Sequence, residues 1–93
     1  MECRRYIVRG RVQGVGFRWF VESAARALGI TGWVRNNADG AVEVLAMGSG
    51  EQLAALHKQL RAGPRAARVD DVEVIPAQLV PNLTTFRIEG SWS

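Results

Sequence analysis

Cysteine and histidine are nearly absent from this chain, with Cys3 the only cysteine and His57 the only histidine among 93 residues. A single cysteine excludes an intrachain disulfide and a cluster of thiolate metal ligands. The carboxylates do not cluster with the histidine at the spacing of metal ligands either. A stable phosphomonoester calls for a metal ion or an activated Cys or His nucleophile, so hydrolysis of such an ester is a poor fit to this sequence.

Long apolar runs and blocks of basic residues are also missing. No apolar run is long enough to span a membrane, and the first residues lack the charged and then apolar regions of a secretory signal. We therefore expect a cytoplasmic protein that binds neither a membrane nor a nucleic acid. The net charge is +3 and the cations, all arginine except Lys58, are scattered, which favours a small anionic partner over a polyanion.

The most informative segment that is present runs from Gly10 to Arg18 (GRVQGVGFR). An alternating strand pattern ends there in a loop with two glycines, and an amphipathic helix pattern begins at Phe17. A strand, a glycine loop and a helix N-terminus in this order bring backbone N–H groups together at the positive end of the helix dipole. Arg18 in the first turn opposes that dipole at a cost of about 0.3–1 kcal/mol, which an anion between them would offset. The segment therefore predicts an anion site.

The periodicity predicts the order β-α-β-β-α-β-β in one domain over residues 1–93. A turn at 37–40 joins two of the strands, Gly29 ends the first helix, and Ser49 with Gln52 forms a capping box for the second. The predicted strands are 5–12, 30–36, 41–47, 69–75 and 83–89, and the helices are 17–28 and 50–62. We expect an α+β, two-layer ferredoxin-like sandwich, with two helices on one face of a mainly antiparallel sheet. The position of the fifth strand stays open.

Two motifs in this order resemble those of the acylphosphatase family. The segment from Gly10 to Arg18 fits the pattern G-x-V-Q-G-V-x-F-R without a mismatch. Gly32-Trp33-Val34-Arg35-Asn36, followed by Gly40, Val42 and Gly48, resembles the second motif of the family. The resemblance covers nearly the whole chain.

The resemblance implies hydrolysis of acyl phosphates to a carboxylate and inorganic phosphate, without a metal or cofactor. It implies that the loop binds the phosphoryl group and that Asn36 positions the attacking water, so Arg18 and Asn36 are the expected catalytic residues. The expected phosphate-binding residues are Gln13, Gly14, Val15, Gly16, Phe17 and Arg18. A mixed anhydride suits such a site, because its carboxylate leaves without a general acid and catalysis rests on positioning and charge stabilisation. We expect the protein to be a monomer. We also expect inorganic phosphate, the product, to inhibit the enzyme competitively.

Several residues also have an interpretation that involves structure and not catalysis. Arg18 could pair with Glu22 on the helix surface, and Trp19 and Trp33 could either flank the acyl group or pack. We expect His57 to be a packed or rim histidine and Cys3 an inert or partly exposed thiol at the start of the chain. Four arginines are expected on a solvated face of the first strand: Arg4, Arg5, Arg9 and Arg11.

Two other function classes share this element order. RNA-recognition domains do, but their aromatic motif lies on the third strand, where this chain has Ala41 to Leu45 without an aromatic residue. A non-catalytic anion-binding domain would need the loop and Arg18 but not Asn36. Binding of phosphate without turnover would favour that alternative.

Overall fold

A computed structural model of the chain describes residues 1–90 and has five strands and two helices in the predicted order. The elements are β1 (Glu2–Arg11), α1 (Phe17–Leu28), β2 (Thr31–Asn36), β3 (Val42–Gly48), α2 (Gly50–Ala62), β4 (Arg68–Pro76) and β5 (Phe86–Ile88). The predicted α+β ferredoxin-like arrangement, with two helices packed on a five-stranded sheet, is confirmed.

The strands form one sheet in the order β4-β1-β3-β2-β5. β1 pairs antiparallel with both β3 and β4, and β2 pairs antiparallel with β3. β5 lies at the edge and runs parallel to β2, from Gly32 opposite Phe86 to Val34 opposite Ile88. The structure thus places the fifth strand, whose position the sequence left open. β1 and β2 are not neighbours, because β3 separates them.

The main core lies between the sheet and the helices. Successive strand side chains alternate between faces, so Tyr6, Val8 and Val34 point together toward the helices. The apolar stripe of each helix packs onto them, with Phe17, Val21, Ala24 and Ala25 from α1 and Leu53, Leu56 and Leu60 from α2 buried. The stripes predicted from the sequence are therefore the ones that hold the helices on the sheet.

The predicted helix ends are confirmed. Gly29 ends α1 in the left-handed conformation at φ 75°, and its N–H bonds back into the last turn. At the start of α2, Ser49 Oγ accepts from Gln52 N at 3.1 Å while Gln52 Oε1 accepts from Ser49 N at 2.7 Å. Both ends are specified by a few consecutive residues, which explains why they could be predicted.

Two predicted strand starts were wrong by three residues, and the other strand boundaries agree with the structure within one residue. β1 begins at Glu2 rather than residue 5, so Cys3 is a buried strand residue and not part of a loose chain start. β5 contains only Phe86–Ile88, because residues 83–85 lie outside regular structure before the chain joins the sheet edge. Phe86 is nevertheless buried in the main core and Ile88 packs against it, as their spacing predicted.

The other face of the sheet carries a buried carboxylate rather than a simple solvated row of arginines. Glu43 on β3 is only 5% exposed, and it lies 3.0 Å from Arg5 Nε and 2.9 Å from Arg35 Nη2. Arg5 is therefore ion-paired, and alternation along β1 places Arg4 on the opposite face from it. The expectation of one solvated face for the four N-terminal arginines was wrong, because Arg4 and Arg5 lie on opposite faces and Arg5 pairs with the buried Glu43.

A second, smaller core covers part of this face. Cys3, Leu45 and Met47 form it, and Ala77 and Leu83 from the connection between β4 and β5 pack against it. The β3 residues on this face are thus Glu43, Leu45 and Met47, none of them aromatic. Within residues 1–90, no helix combines the length and apolar character needed to cross a bilayer.

Candidate functional site

A cavity of about 220 Å³ lies where the loop after β1, the start of α1 and the end of β2 meet. It is lined by Val12, Gly14, Gly16, Phe17, Arg18, Trp19 and Asn36. Arg18 and Asn36, which are 18 positions apart in the sequence, therefore contribute to one cavity. None of the seven lining residues is acidic, so the cavity suits an anion.

The loop between β1 and α1 depends on two glycines in the left-handed conformation. The φ angles of Gly14 and Gly16 are 73° and 77°. A Cβ atom built at either position would meet no other atom within 4 Å, so the constraint comes from the backbone and not from crowding. This conformation costs a residue with a side chain roughly 1–2 kcal/mol of conformational energy, which explains glycine at both positions.

Gly16 is also the N-cap of α1, and no side chain caps this helix end. The first backbone bond of the helix runs from Phe20 N–H to Gly16 O at 3.1 Å. The amides of residues 17–19 precede that bond and lie outside the i→i−4 ladder, so they add positive potential at the mouth of the cavity. The first turn has no acidic residue and carries Arg18, the charge pattern that an anion would complete.

Asn36 reaches the cavity because it is the last residue of β2. It pairs with Val42 in β3 and follows the buried Val34 by two positions, so both lie on the face that packs against the helices. Arg35 between them points to the other face, where it pairs with Glu43 and its guanidinium carbon lies 4.7 Å above the Trp33 ring. The end of β2 thus separates a polar amide on the cavity side from a cation on the opposite side.

Two residues expected at the phosphate site do not line the cavity. Val15 packs against the main core and anchors the middle of the loop. Gln13 Nε2 donates to Asn37 O at 2.7 Å and to Ala41 O at 2.9 Å. Their side chains therefore hold the loop in place, and only their backbone atoms remain for a direct role.

The two tryptophans near the motifs have different environments. Trp19 lines the cavity and is 70% exposed, so it does not belong to the core. Trp33 packs against the second core on the other face of the sheet, away from the cavity. Val12 lines the cavity although it was not among the expected site residues. Its position in the sequence directly before Gln13 is the signal that could have identified it as a cavity residue.

Glu22, the possible partner of Arg18 on the helix surface, forms an i,i+4 ion pair with Arg26 at 3.5 Å. Arg26 also donates to Phe86 O at 3.0 Å, so it connects α1 to the edge strand. Arg26, which pairs with Glu22, is therefore a residue that joins α1 to β5.

The single histidine and the single cysteine lie outside the cavity. His57 on α2 is half-buried with its ring centroid 5.6 Å from that of Tyr6, and burial, followed by the charges of Arg61 and Arg4, lowers its pKa. Burial raises the pKa of Cys3, which keeps the thiol protonated. Within residues 1–90, no three His, Cys, Asp or Glu side chains are grouped so that they could hold a metal ion.

Comparison with known proteins decides the family. The model of the acylphosphatase family matches residues 4–88. An acylphosphatase from Koribacter versatilis is 64% identical over 91 residues, which cover 98% of this chain and 83% of that protein. The chain belongs to the acylphosphatase family. At this identity it is an enzyme of the type that the family name describes.

Solved acylphosphatase structures agree with this assignment. The crystal structure of the acylphosphatase from Bacillus subtilis superposes with a TM-score of 0.92 at 38% identity, covering 97% of this chain and all of the other. The structure from Coxiella burnetii gives a TM-score of 0.88 at 36% identity, covering 95% of this chain and 92% of that one. The acylphosphatase fold thus extends over nearly all of the residues that the structure describes.

Proposed function

We propose that this protein hydrolyses acyl phosphates to a carboxylate and inorganic phosphate at the cavity between the β1–α1 loop and the end of β2. The observation that carries the proposal is that Arg18, Asn36 and the helix N-terminus line one cavity. Each supplies a different requirement of phosphoryl transfer, and family membership supports the reaction type.

The phosphoryl group binds to the loop 13–18. Its backbone N–H groups and the N-terminus of α1 donate to the phosphoryl oxygens, and the Arg18 guanidinium donates in a bidentate manner. These donors also stabilise the negative charge that spreads over the equatorial oxygens as the bond to the leaving group lengthens. Inorganic phosphate occupies the same donors, so we expect competitive inhibition by the product.

The attacking water is held by Asn36. A carboxamide both accepts from and donates to water, but it does not act as a general base at neutral pH. The water oxygen bonds to phosphorus, the bond from phosphorus to the acyl oxygen breaks, and the carboxylate leaves with the electron pair. The proton of the water passes to a phosphoryl oxygen of the substrate. No covalent intermediate, metal or cofactor takes part.

The acyl group extends past Trp19. Because this side chain lines the cavity and is 70% exposed, it offers an apolar surface to a substrate that approaches from solvent. Replacing Trp19 with alanine should lower kcat/KM for benzoyl phosphate roughly 5–10-fold, the value of one aromatic contact of about 1 kcal/mol, and change it little for acetyl phosphate. Equal effects on the two substrates would contradict the acyl contact.

The decisive test is hydrolysis of benzoyl phosphate in EDTA by the parent protein and by an Arg18→Ala variant. The matched control is Arg65→Ala, which removes an exposed arginine that does not line the cavity. We expect Arg18→Ala to lower kcat/KM by more than about 100-fold while the control stays within two-fold of the parent. Phosphate binding without turnover by the folded parent would overturn the proposal in favour of a non-catalytic anion-binding domain.

Under this proposal, residues 1–93 form one domain, and the protein acts as a monomer in the cytoplasm. Every group assigned a role lies in one chain, so catalysis needs no second copy. Specific activity that stays constant as the protein concentration is varied would support this, and a rise with concentration would contradict it.

A further inference from the structure

The side chain of Gln13 connects two parts of the cavity that the sheet does not connect directly. Its Nε2 donates to Asn37 O at 2.7 Å and to Ala41 O at 2.9 Å. A side-chain amide carries two N–H groups, so these two bonds use both of its donors. The acceptors lie on the turn that directly follows Asn36, whereas Gln13 is the first residue of the anion-binding loop.

The turn itself is closed by bonds of its own. Asn37 N donates to Ala41 O at 2.8 Å, Gly40 N donates to Asn37 O at 3.2 Å, and Ala41 N donates to Asp39 Oδ1 at 3.0 Å. Asn37 O and Ala41 O therefore accept from Gln13 in addition to the bonds within the turn. Gln13 contacts a pre-formed turn and does not create it.

Strand pairing does not directly connect the loop to the turn at this end of the sheet. β1 and β2 lie on either side of β3, and the pairing of β1 with β3 ends at Val8 opposite Val42. Gln13 lies five positions beyond Val8, while Asn36 is itself opposite Val42 in the pairing of β2 with β3. The Gln13 bonds lie beyond the end of the β1–β3 ladder and join the loop to the turn next to Asn36.

We propose that Gln13 is a positioning residue, whose amide fixes Asn36 relative to the loop that holds the phosphoryl group. It acts through Asn36 and makes no side-chain contact with the substrate. This inference rests on the proposed function, because it assigns a geometric requirement to the same reaction. A water held by Asn36 has to be in line with the bond that breaks, and small displacements from a reactive geometry cost large factors in rate.

The test is a double-mutant cycle with Gln13→Met and Asn36→Ala, assayed with benzoyl phosphate. Methionine is close to glutamine in length and lacks the N–H donors. We expect Gln13→Met to lower kcat roughly 10-fold, with KM and the inhibition constant of phosphate within about three-fold of the parent. In the Asn36→Ala background, where no amide remains to be positioned, the same substitution should change kcat less than two-fold.

Three kinetic outcomes would overturn the inference. They are an unchanged kcat in Gln13→Met, equal fold-losses in the two backgrounds, and a loss of phosphate affinity as large as the loss of kcat. A Gln13→Ala variant repeats the test in case methionine disturbs the loop. If both variants were unfolded in far-UV circular dichroism, the bonds would belong to stability and not to positioning.

Failure of this inference is distinguishable from failure of the proposed function. The parent and the Asn36→Ala variant alone test the function, since a parent without turnover would refute it. Gln13→Met can leave kcat unchanged while the parent is active and Asn36→Ala is impaired. That result would overturn the positioning role and leave the function intact.

Discussion

Arg18 is the residue whose positive charge and whose arrangement of N–H donors both contribute to its proposed role. It lines the cavity from the first turn of α1, where the positive end of the helix dipole repels a cation. A bound anion would offset that repulsion. A lysine would keep the charge but not the planar pair of donors. The role assigned to Arg18 therefore requires more than a positive charge.

Replacing Arg18 with lysine should lower kcat/KM for benzoyl phosphate at least about 10-fold, because a point charge cannot match two phosphoryl oxygens at once. Phosphate inhibition should weaken but remain measurable, since the charge is retained. The assay compares both constants with those of Arg18→Ala. A lysine variant with parental kcat/KM would show that charge alone suffices and would remove the bidentate contact from the mechanism.

Glu43 is a residue whose burial its local sequence pattern does not predict. Its position in an alternating strand gave no reason to expect burial, yet it is 5% exposed between Arg5 and Arg35. Those partners come from the two strands beside β3, and their approach depends on the register of all three. Only the assembled sheet determines this buried ion pair.

At the scale of elements, α2 and β1 meet at a contact through which we expect folding to depend on pH. His57 packs against Tyr6, whose hydroxyl donates to Leu53 O at 3.3 Å. Burial and the charges of Arg61 and Arg4 lower the pKa of His57 below its ordinary value of 6.5. The folded state therefore binds this proton less readily than the unfolded chain does.

The sign of the resulting pH dependence follows from that difference. Well above pH 6.5, the value for the unfolded chain, His57 is neutral in both states and does not change the free energy of unfolding. As the pH falls below that value, the unfolded chain binds the proton more readily than the folded state, so the free energy of unfolding decreases. We expect the free energy of unfolding in urea to fall less between about pH 7 and pH 5 in a His57→Gln variant than in the parent. Parallel pH profiles would contradict this, and benzoyl phosphate turnover at neutral pH should be the same in both proteins.

Helix ends and strand ends differed in how well they could be predicted. The capping box at Ser49 and the glycine at 29 act within one turn of helix, so a few consecutive residues specify them. β5 has no comparable local signal. Its Phe86–Ile88 segment is a strand because β2 offers an open edge, which explains why the predicted start at residue 83 was too early.

At the scale of the whole molecule, catalysis is assigned to the loop, one guanidinium and one amide, with no role for a metal ion. We expect kcat and KM for benzoyl phosphate to stay within error of the untreated values after dialysis against EDTA. The control adds Mg²⁺ and Zn²⁺ separately to the dialysed protein, and neither should raise kcat. A loss of turnover in EDTA that either ion restores would contradict the metal-free mechanism.

The sequence by itself determined the element order, the helix caps and the glycine loop with Arg18, because each depends on hydrogen bonds and dihedral preferences within a few residues. Its two motifs also predicted the family that the comparisons confirm. Only the tertiary structure decided the edge position of β5, the burial of Glu43 and Cys3, and the bonds from Gln13 to the turn after Asn36. These features join residues that are distant in the chain, and their geometry follows from strand pairing and packing, which leave no local pattern.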